Sequence, residues 1–155
     1  MSEATRKDLA EFFRLALRTG VCGLSDAVSW ADRVIGAEHA PADCYLDLSF
    51  CTSTIKAVAL LEEAPGQPTP DLALYLLLGH SARLVRKGLL APATALRRLQ
   101  VLTTWEAVPE SLALDLMRFD DGLDLARMGV HGTEAEVARE FAAFLGEFEE
   151  WAPEV

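Results

Sequence analysis

The run LALYLLL at residues 72–78, set directly behind Thr69-Pro70-Asp71, constrains this chain more than any other stretch. Thr69 offers an N-cap, Pro70 suits the first helical position, and Asp71 stands near the positive end of the dipole, so a helix is expected to open here. Apolar residues then cover every face of its first half, and such a helix is stable only when other helices surround it. Arg83, Arg86 and Lys87 occupy its last turn ahead of Gly88, where cations complement the negative end of the dipole. The run falls far short of the roughly 18 apolar residues that cross a bilayer. The expectation is a buried helix around residues 70–87 in a chain built of helices.

Punctuation elsewhere agrees. Ser2 can cap a first helix whose Leu9, Phe12, Phe13 and Ala16 fall at helical spacing, with Gly20 placed to end it. Ser25 can cap a second, striped by Val28, Ala31, Val34 and Ile35 and stopped at Gly36. Pro41 suits the first turn of a third segment, and Thr52 or Ser53 starts a fourth that runs to Glu63. The connector Ala64 to Pro70 holds three prolines and reads as a short loop between helices, not a domain boundary. Pro92 opens a helix to about Thr104, and Pro109 another to about Phe119. Asp120-Asp121-Gly122 reads as a turn into a short piece ending near Met128. Thr133 and Glu136 form a capping box for a last helix. Its Val137, Phe141, Phe144, Phe148 and Trp151 form one apolar seam, packed within the chain or against a second copy, so both monomer and homodimer stay open.

One stretch argues for a strand. In CYLDLSFC, residues 44–51, apolar and polar residues alternate with a period of two. No second run offers a pairing partner, and a lone strand leaves its backbone groups unpaired, so the segment is read as helix. A helix places Cys44 and Cys51 about 10 Å apart by the rise per residue, beyond disulfide reach, and a strand points them to opposite sides. Cys22, Cys44 and Cys51 are therefore expected as reduced, mostly buried thiols. Cys44, close to a helix start where thiolates are stabilised, is the one candidate reactive thiol. His39, His80 and His131 lack the spacing of a structural zinc site, and no metal ligands are assigned. His80 in the apolar helix, and Trp30, Trp105 and Trp151, are expected as core or interface residues.

Charge is the most informative surface property. The net charge of −10 over 155 residues disfavours nucleic acid and anionic membranes as partners. Residues 81–100 nevertheless carry five bases and no acid, whereas residues 101–155 carry three bases against thirteen acids. Arg83, Arg86, Lys87, Arg97 and Arg98 flank the turn GLLAP and are expected to cluster. They either pair with the acidic C-terminal third or dock an acidic protein or a phosphate-bearing ligand. The N-terminus MSEATRKDLAEFF has no apolar signal core, so a cytoplasmic setting is expected.

Two acidic motifs resemble known metal-binding patterns. FDDGLD, residues 119–124, is similar to the aspartate-rich D-D-x-x-D signature of isoprenoid synthases, all-α enzymes that hold magnesium on a diphosphate. A second acidic motif is missing and the chain is about half the size needed, so the stretch is expected to be a solvated turn between helices. Glu147 and Glu150 match the E-x-x-E half of the all-α nucleotide pyrophosphatase pattern, but no E-x-x-D follows. The acids of the last helix are expected to form a solvated face.

The sequence thus points to an all-α bundle of about seven to nine helices in one domain over residues 1–155. It carries no Gly-rich phosphate loop, G-x-S-x-G elbow or H-E-x-x-H, and no cofactor is expected. In size, acidity and helix content the chain resembles the immunity proteins that neutralise bacterial toxins, which implies a protein partner with a basic surface. An adaptor using the aromatic seam is the related alternative. A small enzyme using a cysteine thiol or an acidic metal site is the rival class.

Overall fold

Thr5 opens the first helix of the computed structural model, which describes residues 3–155; Ser2, the cap expected from the sequence, lies outside them. Among the described residues are nine α-helices, one 3-10 turn and no strand, so the chain is all-α. The helices are α1 (Arg6–Thr19), α2 (Leu24–Ala37), α3 (Asp43–Ser49), α4 (Thr54–Glu62), α5 (Leu72–Arg86), α6 (Pro92–Gln100), α7 (Leu102–Trp105), α8 (Glu110–Arg127) and α9 (Glu134–Gly146). The 3-10 turn covers Glu149–Trp151. Packing divides the chain into two compact units, one holding residues through Leu74 with Glu154–Val155, the other Tyr75–Pro153.

In the first unit, α1 packs on α4, and α2 on α3. Phe12, Phe13, Ala16, Trp30, Ala31 and Val34 are buried, as the helical stripes of α1 and α2 require. The Trp30 ring lies 5.0 Å from Phe13 and meets Tyr45 edge-on at 5.6 Å, joining α1, α2 and α3 through one aromatic row. Each buried aromatic of this kind contributes about 1.5–3 kcal/mol from area alone.

Asp8 is wholly buried and anchors this unit. Its carboxylate accepts the Thr5 backbone N–H at 2.8 Å and hydroxyl at 2.7 Å, then the Thr69 backbone N–H at 2.6 Å and hydroxyl at 3.3 Å. Burial pushes the carboxyl pKa up, but these hydrogen bonds to the charged form outweigh it, and the net shift is downward. Lys7, also buried, donates from Nζ to the Glu62 carbonyl at 3.0 Å, satisfying the end of α4.

Several helix boundaries differ from the sequence reading, each for a local reason. Ser25 lies within α2, because the Asp26 carboxylate accepts the Gly23 backbone N–H at 2.8 Å and closes the helix start two residues earlier. Gly36 is inside α2, which ends at Ala37. Pro41 precedes α3 without entering it. Thr69 does not cap α5, since its amide and hydroxyl are drawn to Asp8; Asp71 takes a left-handed φ of 61° and α5 begins at Leu72. The helix from Pro92 breaks at Val101, where the Thr103 hydroxyl donates to the Gln100 carbonyl at 2.8 Å. Ser53 does cap α4, accepting from the Lys56 N–H at 3.4 Å.

The CYLDLSFC segment is helical, as expected, with Cys44, Tyr45 and Leu48 inward. Phe50 follows the helix and is 85% exposed.

In the second unit, α6 packs on α8 and α9, and α8 packs on α9. Leu96, Leu99, Leu102, Leu116, Phe141 and Leu145 are fully buried between them. Leu76, Leu77 and Leu78 of α5 are buried, as its apolar first half required. Gly79 is where this helix meets the C-terminal segment: a Cβ there would stand 2.5 Å from both the Phe148 carbonyl oxygen and the Ala152 backbone nitrogen. The backbones touch directly, which only glycine permits. Trp105, expected as a core or interface anchor, is 65% exposed on the single turn of α7.

Candidate functional site

The aromatic seam packs in part within the second unit, with Phe141 buried and Val137, Phe144, Phe148 and Trp151 half-buried. Phe119 of α8 lies 5.3 Å from both Phe141 and Phe144 of α9, and Tyr75 of α5 stacks on Phe148 at 6.0 Å and packs on Trp151 at 5.6 Å. Phe141 is fully buried, so the seam holds α9 in place.

The acids 119–124 are not a turn. α8 runs unbroken from Glu110 to Arg127, straight through Asp120-Asp121-Gly122. Leu116, Phe119 and Leu123 are buried at helical spacing on either side of the glycine, and their burial outweighs its poor helix propensity. Asp120 is half-buried, and burial, then the charges of Asp124 and Asp121, push its pKa up.

Because α8 continues, it forms one wall of a groove. α9 runs antiparallel beside it, with Val137 against Gly122 and Phe144 against Phe119. The link between them turns at Gly129 and Gly132, both at positive φ. Thr133 caps α9, accepting from the Glu136 N–H at 3.1 Å, and Arg127 pairs with Glu134 at 2.6 Å across the link. The resulting open cavity is about 650 Å³, within the range of ligand pockets.

The groove has an apolar floor and an acidic edge. Phe119, Gly122, Val137 and Phe144 supply the floor. Glu136, Glu140 and Glu147 line one edge together with Ala143. These four fall at spacings of four, three and four, the same rhythm as the aromatic seam shifted by one residue. The stripe of carboxylates therefore runs parallel to the buried rings. Arg118 and His131 complete the lining. The Arg118 guanidinium sits 5.1 Å over the Phe119 ring and 3.4 Å from Asp115, so its charge is partly engaged and the groove stays anionic.

Among the described residues, no three His, Cys, Asp or Glu side chains gather where they could hold a metal ion. Glu147 follows the end of α9 while Glu150 lies in the 3-10 turn.

Two of the five basic residues are engaged by the C-terminal segment, in line with the internal-pairing alternative. Arg83 donates to the carbonyls of Pro153 at 3.0 Å and Ala152 at 3.3 Å, and Arg86 pairs with Glu149 at 2.5 Å. Both hold the C-terminal segment on α5. Lys87 and Arg97 are exposed, and Arg98 is half-buried.

The three thiols are free and buried. Burial raises the Cys44 pKa, overriding its place at a helix start, and burial with the nearby Asp26 charge raises that of Cys22 to about 12. Cys51 donates through Sγ to the Ser53 carbonyl at 3.1 Å. Iodoacetamide at neutral pH is expected to label none of the three in native protein on the timescale on which it labels unfolded chain. Fast native labelling of Cys44 would restore it as a nucleophile.

The groove was legible only in part. Its acids were read as a solvated face, and Gly122 as a turn; the signal for continuity was the helical spacing of Leu116, Phe119 and Leu123 across it. No protein-family model, curated protein or solved structure matches this chain.

Proposed function

We propose that this chain is a protein-interaction module, an inhibitor of the immunity-protein kind or an adaptor, that binds a partner with a basic surface through the α8–α9 groove. The observation that carries this reading is the acid-edged groove with its apolar floor, in a chain whose residues 101–155 hold thirteen acids against three bases. An anionic rim steers a cationic partner into encounter, while an apolar floor supplies the desolvated contact that holds it. Arg83 and Arg86, committed to the C-terminal segment, favour this groove over the basic cluster with Lys87, Arg97 and Arg98 as the docking face. A cytoplasmic setting fits three free cysteines. No helix among the described residues is long and apolar enough to cross a membrane.

The test is kinetic. Partner association should slow about tenfold or more between low and high salt, because screening removes the steering. Replacing Glu136→Lys, Glu140→Lys and Glu147→Lys together should slow it by a similar factor at low salt while leaving the circular dichroism spectrum intact. A rate insensitive to both salt and charge reversal would remove the proposal.

A further inference from the structure

Gly122 and Gly79 are the glycines placed well inside helices; Gly36 and Gly146 fall in the last turns of theirs. Gly79 is required, since any side chain would strike the backbone of residues 148–152. Gly122 is not. It has no positive φ, and a Cβ there would meet only Val137, at 3.7 Å and 4.0 Å, which is ordinary van der Waals contact. Alanine would fit and would favour the helix. Neither backbone conformation nor packing explains a glycine at this point, and a local rule broken without a structural reason marks a functional position. A larger side chain at 122 would project into the groove floor between Phe119 and Val137.

Resting on the interaction reading above, we infer that Gly122 keeps open a seat for one apolar side chain of a basic amphipathic helix belonging to a protein partner. The antiparallel pair α8 and α9 presents a channel suited to helix-in-groove docking. The floor of Phe119, Val137 and Phe144 takes the apolar face of the incoming helix. Its Lys or Arg residues stand against Glu136, Glu140 and Glu147, which are disposed along one edge of α9. The same three carboxylates repel an acidic helix of the same shape, while the Arg118 charge is engaged by Asp115 and the Phe119 ring.

A fluorescently labelled synthetic helix, with leucines along one face and lysines on its flanks, serves as the probe. Anisotropy titration should show binding to the wild-type protein and none for the same helix with glutamates in place of lysines. Gly122→Leu should weaken binding about tenfold or more, whereas Gly122→Ala should bind within about threefold and unfold at higher urea. Should Gly122→Leu fail to fold, amide shifts of the wild-type protein decide instead. Peptide-induced shifts around residues 118–122 and 136–144 support the seat, and shifts confined elsewhere overturn it. Equal affinity for a folded Gly122→Leu variant overturns the role of Gly122 but leaves the interaction module standing. Absence of any wild-type binding overturns the helical occupant, while the module itself falls only with the salt and charge-reversal results.

Discussion

Gly79→Ala is expected to lower the stability of the protein by about 1–3 kcal/mol, the range of overpacking against an unyielding contact. Alanine normally favours a helix interior over glycine by about 1 kcal/mol, so the steric effect must exceed that gain. It does so because the obstacles are backbone atoms: the Phe148 oxygen and Ala152 nitrogen at 2.5 Å and the Trp151 carbonyl carbon at 2.9 Å. They cannot swing aside as a flexible side chain can. Separation would also open the stacking of Tyr75 on Phe148 and its packing on Trp151, and pull the Ala152 and Pro153 carbonyls from Arg83. Gly36→Ala is the control, since nothing lies within 4 Å of the added methyl and the helix should gain up to about 1 kcal/mol. Urea unfolding midpoints that move in opposite directions for the two variants support this account. A Gly79→Ala protein as stable as wild type would show that the C-terminal segment is not held against α5.

Asp8→Ala is expected to cost about 3 kcal/mol, because it leaves the Thr5 and Thr69 backbone N–H groups without their acceptor in a buried setting. Asp8→Asn should cost less, keeping one acceptor oxygen and the volume. The same carboxyl sets a pH dependence. Its folded pKa lies below the ordinary value of 3.8, so the unfolded chain takes up the proton first as pH falls. The contribution is therefore fully present above the unfolded value and is lost progressively as pH drops through the folded one. Wild-type stability should decline below about pH 4 more steeply than that of Asp8→Asn, as thermal melts across acid pH would reveal. Parallel declines for the two proteins would show that Asp8 is not the titrating group.

These two positions show how differently local and long-range information is written in the chain. Gly79 could be located in the sequence as a glycine inside an apolar helix, but not its reason, which is a backbone some seventy residues downstream. Asp8 lies in the first turn of α1, and its local partner Thr5 is three residues away. Its hold on Thr69 is a contact across 61 residues, and that contact displaced the expected cap of α5. The DDG stretch failed for the same reason. Its turn signal is strong within a window of a few residues, and it lost to the burial of Phe119 and Leu123 against elements outside that window. The engagement of Arg83 and Arg86 by the C-terminal segment follows the internal pairing that their charge contrast with the acidic C-terminal third allowed, although the carbonyl partners of Arg83 could not be read from charge.

Periodicity and end signals determined by themselves that this protein is all-α, where most helices lie, that LALYLLL is buried and that its thiols cannot bridge between residues 44 and 51. Those properties follow from the 3.6-residue repeat, capping chemistry and backbone reach, which act over one or two turns. Only tertiary structure decided that α8 is continuous, that Phe141 of the aromatic seam is buried against Phe119 and that a parallel stripe of glutamates edges a groove with a bare glycine in its floor. Burial is a property of neighbours brought together from distant parts of the chain, and its free energy overrides local preferences that differ by only about 1 kcal/mol.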